Sequence, residues 1–320
     1  MNLIAIPILV LSFAMVSKGA AWLTDSLWHI SARRGISVGI LGMVVAGLMT
    51  TLPEFSVSTM ASALKSGGLS MGNAIGSTIF NIVGIVGIIG LIRPLNFDSS
   101  FVRDFGRNAL LAYLAFYVLA LMGRSLGILD SLLLLIVLGI SILYSYRRRY
   151  VGAPTPDSDA EGIRGQIVIL FLGGVILGVG SYLLIYSATS IAADLGVPEF
   201  IIGLSLVAIG TSIPELATGI ASIRKDIEEI SIGNVLGANI YNVTLVLGAS
   251  ALVSTLLHGE PLIAEKGTLF IDIPMMIGAT ALLMVVGRDG HISRRTSLLF
   301  ILIYAVYMIL TFSGFPLSVI

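Results

Sequence analysis

Glu54 and Glu215 are the residues of this chain best placed to do chemistry. Each follows a proline, Pro53 or Pro214, and each stands four residues after a threonine, Thr50 or Thr211. Each also interrupts a run that is otherwise apolar enough to cross a membrane as a helix. An acid at the centre of such a helix costs on the order of 3 kcal/mol on insertion scales, so it calls for a functional reason. A protonated Glu hydrogen-bonded between helices is the plain structural alternative. The prolines matter equally: lacking an N–H and clashing with the preceding turn, they free carbonyls around residues 49–50 and 210–211. Such carbonyls are tolerated at membrane depth where they are buried or line a watery cavity. Thr50 and Thr211 thus offer a backbone oxygen and a hydroxyl one turn before each Glu.

Two bidentate carboxylates and two carbonyls make about six oxygens, within the six to eight that calcium takes at roughly 2.3–2.6 Å. Magnesium wants a stricter octahedron and fits less well. Two carboxylates also neutralise one divalent cation, which lowers the penalty of holding it in a low-dielectric interior. The same cage could hold several sodium ions, with Thr51, Ser77, Ser212, Asn81 and Asn242 as extra oxygens. A site that binds either load, but not both together, is what antiport requires.

These residues recur. Gly47-Leu-Met-Thr-Thr-Leu-Pro-Glu54-Phe returns as Ala208-Ile-Gly-Thr-Ser-Ile-Pro-Glu215-Leu. Gly72-Asn73-Ala-Ile-Gly76-Ser77-Thr-Ile-Phe-Asn81 returns as Gly233-Asn234-Val-Leu-Gly237-Ala238-Asn-Ile-Tyr-Asn242. Glu54 and Glu215 are 161 positions apart, and so are Asn81 and Asn242. Two motifs sharing one offset mark an internal duplication, with matching segments at 47–81 and 208–242.

The elements that must position them are membrane helices. Of 320 residues, 56% are hydrophobic and 11% charged, against roughly 25% charged in soluble domains. Spans are expected near 3–30, 37–64, 70–92, 105–123, 128–149, 165–193, 198–224, 230–256, 268–286 and 292–313. The runs are apolar throughout rather than alternating, which excludes barrel strands. The fold class is therefore an all-α membrane protein: ten transmembrane helices as two inverted five-helix repeats, 1–149 and 165–320, joined by a linker at 150–164. An odd number of spans per half inverts the second half, an architecture typical of secondary transporters, with the site near the midplane. In this reading Glu54 and Glu215 are the only acids deep in the membrane.

Lys and Arg set the orientation. Fourteen of the 18 fall on one side, Arg33, Arg34, Arg93, Arg103, Arg107, Arg147, Arg148, Arg149, Arg164, Arg224, Lys225, Arg288, Arg294 and Arg295. Lys65, Arg124 and Lys266 fall on the other, and Lys18 within the first span. The positive-inside rule then places both termini outside a cell membrane and the linker in the cytoplasm. Within the linker, Asp157-Ser-Asp159-Ala-Glu161-Gly162 resembles the start of a calcium loop, but its twelfth position is Val168 rather than Glu. A solvated linker is the better reading.

Cysteine is absent, so disulfides, thiolate metal sites and cysteine nucleophiles are excluded. His29, His258 and His291 fall at span ends, which argues against a histidine proton relay. No midplane Asp pair, Ser–His pair or His cluster suits an intramembrane hydrolase, so the chain reads as a transporter and not an enzyme. Lys18 is expected to pair with Asp25. Asn73 and Asn234 are equally readable as helix glue or site residues. Gly72, Gly76, Gly233 and Gly237 have the spacing of close helix packing. Asn242-Val-Thr244 matches a glycosylation sequon but lies mid-helix and is set aside.

At the paired Thr-[Ser/Thr]-x-Pro-Glu and Gly-Asn-x-x-Gly-x-x-x-x-Asn segments, the sequence resembles the sodium/calcium exchanger family of the cation/calcium antiporters. The resemblance covers the whole chain. It implies that Glu54, Glu215, Thr50 and Thr211 coordinate calcium, and that Thr51, Ser77 and Ser212, with the Gly47 and Ala208 carbonyls, hold sodium beside it. It also implies that spans 1 and 6 slide across the other eight. The transported partners are then calcium and sodium or protons, with the lipid bilayer as surroundings. No further cofactor, nucleic acid or obligate protein partner is implied. Met49 replaces the family's small Gly, and Ala238 replaces a Ser, removing a hydroxyl from one sodium position. Asn242 stands where potassium-dependent relatives carry Asp, which argues against potassium co-transport. Sodium-driven calcium antiport by alternating access is the expectation, with proton-driven divalent antiport as the alternative.

Overall fold

The computed structural model describes residues 4–33, 46–147, 163–224 and 228–313. Ten helices follow one another in these segments. The first half holds α1 (Ala5–Arg33), α2 (Ala46–Ala63), α3 (Gly67–Ile92), α4 (Ser99–Gly123) and α5 (Ile128–Arg147). The second holds α6 (Ile163–Leu195), α7 (199–224, broken at Ser212), α8 (228–258), α9 (Thr268–Val286) and α10 (Arg294–Phe312). Eight of them are apolar and long enough to cross a bilayer. α2 falls outside that group because Thr50, Thr51, Glu54 and its serines dilute its apolar residues.

The expected spans agree with these helices closely, except that α4 starts at Ser99 rather than near 105. Asp98 is the reason. Its Oδ1 accepts the Ser100 N–H at 2.8 Å, capping one of the four donors a helix start leaves unpaired. Arg103 and Arg107 therefore ride on the helix. Residues 150–162 of the linker, the calcium-like stretch among them, lie outside the described residues, while Ile163 and Arg164 open α6.

The loops contain more order than expected. Leu95–Asn96 (β1) pairs antiparallel with His291–Ile292 (β4), and Ser125–Leu126 (β2) with Leu262–Ile263 (β3). β1 follows α3 and β4 precedes α10, so both lie at one face of the membrane. β2 follows α4 and β3 follows α8, so that pair lies at the other. Each clasp joins one half of the chain to the other. His291 extends the first, its Nδ1 lying 2.8 Å from Asn96 Oδ1.

The core has two parts. The larger packs α3, α4, α5, α8, α9 and α10 around Phe116, Phe300, Ile82 and Leu236. The smaller joins α1 and α6 to α2 and α7 through Val16, Leu184, Val57 and Val207. Gly72, Gly76 and Gly203 bring α3 and α7 backbone to backbone: a Cβ on Gly72 would strike the Phe200 carbonyl oxygen, and one on Gly76 that of Leu204. The close-packing reading thus holds for those two. At Gly233 the neighbour is the Phe101 ring, and at Gly237 nothing among the described residues lies within 4 Å.

One expectation needs correcting, and two buried acids near helix starts went unforeseen. Asp272 lies at the end of the first turn of α9, its Oδ1 accepting the Tyr307 hydroxyl at 2.6 Å. Asp104 is buried in α4. Tyr307 is distant in sequence, so no local pattern announced it. Lys18 does not pair with Asp25; its Nζ lies 5.4 Å from the centre of the Trp22 ring, one turn on. A cation over an indole keeps its charge near the surface while covering its stem.

Candidate functional site

α2 and α7 carry the glutamates, and α3 and α8 pack across them. Each carrier contains a proline just before its glutamate. Pro53 lies inside α2, while α7 breaks at Ser212, whose backbone (φ −87°, ψ 9°) leaves the helical region before Pro214. α3 and α8 are locally unwound as well: π turns span Phe80–Ile85 and Asn242–Val246. A π turn accommodates one extra residue and is common at functional sites. Here both occur where Asn81 and Asn242 enter the core.

Glu54 is 0% exposed and Glu215 1%. The Ser212 hydroxyl donates to Glu54 Oε1 at 3.0 Å, and the Thr211 and Ser77 hydroxyls also face that carboxyl. Thr50 faces Glu215, and the two carboxyls are close enough to act on each other electrostatically. Glu54 Oε2 and both Glu215 oxygens accept no hydrogen bond from the described residues.

Around the acids runs a network that crosses between halves. The Thr50 hydroxyl donates to Asn234 Oδ1 at 3.1 Å, and the Thr211 hydroxyl donates to Asn73 Oδ1 at the same distance. These two bonds are repeat images of each other. Ser77 Oγ lies 3.4 Å from both the Ala208 carbonyl oxygen and Thr211 Oγ1. Asn73 Nδ2 donates to Ser58 Oγ at 2.9 Å and reaches the Glu54 carbonyl at 3.4 Å. Interhelical hydrogen bonds in membranes average about 0.6 kcal/mol each, whereas each buried acid costs on the order of 3 kcal/mol. One bond to Glu54 and none to Glu215 do not offset that cost. A bound cation would.

Glu54, Thr211, Ser77, Ser212 and the Ala208 carbonyl therefore meet, through Asn73, in one bonded cluster, with Glu215 beside it and Thr50, bonded to Asn234, facing Glu215. Thr51 is buried on the same turn of α2, and Gly47 lies in its first turn. Asn81 and Asn242 are buried near the network, but no hydrogen bond joins either to a glutamate. Asn81 Nδ2 donates instead to Asn239 Oδ1 at 2.9 Å, and both amide ends of Asn242 lack partners among the described residues. Asn73 and Asn234, readable as glue or as site residues, prove to hold the two threonines. Asn239 and Ser58 were missed. Each departs from the repeat, with Thr78 and Gly219 at the matching positions, so self-comparison passes over them.

The sequence profile of the sodium/calcium exchanger protein family matches residues 4–147 and again 165–313. The inner membrane protein YrbG of Escherichia coli K12 is 34% identical over 264 residues, covering 79% of this chain and 81% of its own length. Among solved structures, the sodium-calcium exchanger NCX_Mj, soaked with sodium and strontium, superposes with a TM-score of 0.61 at 27% identity, covering 96% of this chain and 98% of that one. The H+/Ca2+ exchanger CAX superposes with a TM-score of 0.76 at 16% identity, covering 97% of this chain and 87% of that one. At that identity the second likeness speaks for the fold alone.

Proposed function

Since the chain belongs to the sodium/calcium exchanger family and is a multi-pass membrane transporter of cations, we propose that it exchanges calcium for sodium by alternating access, with Glu54 and Glu215 jointly gripping the calcium ion. The observation that carries this reading is the pair of buried carboxylates, ringed by hydroxyls, with three of their four oxygens unpartnered among the described residues. Calcium takes the place of the missing donors, with the Thr50 and Thr211 carbonyls completing its oxygen shell. Sodium ions take Thr51, Ser77 and Ser212 with the Gly47 and Ala208 carbonyls, and Asn81 and Asn242 serve as accessory ligands.

Exchange follows from charge. Two bare carboxylates in a dry core carry a large desolvation penalty. Calcium or a set of sodium ions removes it, so the loaded site can be enclosed during crossing and the empty one cannot. That asymmetry obliges one load to leave only when the other replaces it. α1 and α6, joined to the remainder mainly at α2 and α7, supply the moving part. Both termini lie outside the cell and residues 150–164 in the cytoplasm, in accord with the lysine and arginine bias.

The test is calcium-45 uptake into proteoliposomes under an outward sodium gradient with pH clamped. Sodium-dependent uptake is expected. Uptake that ignores sodium and follows a pH step would instead make the protein a proton-driven calcium antiporter.

A further inference from the structure

Asn239 follows Ala238, the one step where the two polar stripes differ. On α3, Asn73, Ser77 and Asn81 recur every four residues, which sets them on one helix face. Asn234, Ala238 and Asn242 do the same on α8. Asn239 stands one position off that stripe, fully buried, with its side chain turned toward the first half. Its Nδ2 donates to the Thr78 carbonyl oxygen at 3.0 Å, and its Oδ1 accepts from Asn81 Nδ2 at 2.9 Å. The Tyr113 and Thr280 hydroxyls stand close by.

The direction of these bonds is fixed by a group that has no choice. A backbone carbonyl can only accept, so the Asn239 end facing Thr78 must be its NH2. The other end is then its oxygen, and the part of Asn81 that meets it must be the Asn81 NH2. Asn81 Oδ1 is what remains, buried and without a hydrogen-bond partner. In the other half the arrangement is absent. Thr78 occupies the matching position, turns its hydroxyl back to the Ala74 carbonyl at 2.8 Å, and leaves both ends of the Asn242 amide unpartnered.

We propose that Asn239 is a positioning residue that locks the Asn81 amide with its oxygen, and not its NH2, available to the transported cation. The inference rests on the reading of Asn81 as an accessory ligand. An amide presents an acceptor at one end and donors at the other, so a flipped Asn81 would point positive hydrogens at a cation. Asn242, whose amide no described residue holds, adjusts with the load. The two amides are thus unequal, one a fixed ligand and one an adjustable one.

Half-saturating calcium for calcium-45 uptake, measured with the full-length protein in proteoliposomes, tests this. Asn239→Thr installs the residue that the first half already carries there. It is expected to raise half-saturating calcium about tenfold, the scale seen when a ligand loses its orienting partner, with little change in maximal rate. An Asp at position 81 has two equivalent oxygens and no orientation to lose. Asn239→Thr should therefore matter less than about twofold in the Asn81→Asp background, a coupling that a double-mutant cycle reads directly. Equal losses in both backgrounds would make Asn239 a packing residue and overturn the proposal. If Asn81→Ala leaves half-saturating calcium unchanged, the ligand reading itself fails. If Asn81→Ala weakens uptake while Asn239→Thr does not, only the positioning role is lost.

Discussion

The two halves of the protein share a scaffold and differ in what fills it. The threonine–asparagine bonds on either side of the site are images of each other, at 3.1 Å each, and the π turns of α3 and α8 fall at the same place. Yet Glu54 accepts a hydrogen bond from Ser212, while Glu215 accepts none from the described residues. Asn73 is held at its nitrogen by Ser58, whereas Asn234 faces no such group, because the matching residue is Gly219. Ser77 reaches the Ala208 carbonyl; Ala238 has nothing to reach with. Duplication therefore supplied the geometry, and single-residue changes made its two sides chemically unequal.

The sharpest way to break this comparison is to neutralise each acid in turn. Glu54→Gln and Glu215→Gln keep volume and remove charge, and each should lower calcium-45 uptake by about 100-fold or more, as loss of a principal ligand to a divalent ion demands. Full uptake in one of them would mean that the pair does not act jointly. Next in size, Gly76→Ala drives a methyl group into the Leu204 carbonyl. Such overpacking costs roughly 1–3 kcal/mol, visible as a lowered melting temperature in detergent, whereas Gly139→Ala, with no neighbour within 4 Å, should be tolerated. Asn73→Ala removes an anchored amide and should raise half-saturating calcium about tenfold, against about threefold for Asn234→Ala, whose amide is held at one end only. Equal effects would erase the inequality between the halves. The smallest change is a gain: Ala238→Ser restores a hydroxyl mirroring Ser77 and should lower half-saturating sodium roughly two- to threefold, with half-saturating calcium nearly unaltered.

Much of this was legible in the sequence. Ten spans emerge from hydropathy because the bilayer imposes a length on each, and the glutamates and threonines emerge from a motif that appears twice at one spacing. What escaped depended on partners chosen in three dimensions. Asn239 bonds Asn81 across 158 positions, and because Thr78 breaks the repeat there, a search for sameness discards the position that matters. Asp272 finds Tyr307 on the next helix. Lys18 had Trp22 and Asp25 both within reach along α1, and only packing decides between them. The start of α4 was different. Asp98-Ser-Ser100 is a local cap pattern, open to view, yet the arginines that follow it drew the boundary too late.

The paired strands at the two membrane faces have a mechanical consequence. One nails β1 to β4 and the other β2 to β3, so the outer helices of both halves form a frame fastened top and bottom, unable to swing apart like a hinge. α1 and α6 lie outside both fastenings, and in the proposed alternating access they are the sash that runs in that frame. A covalent staple across either strand pair should leave the sash free to travel.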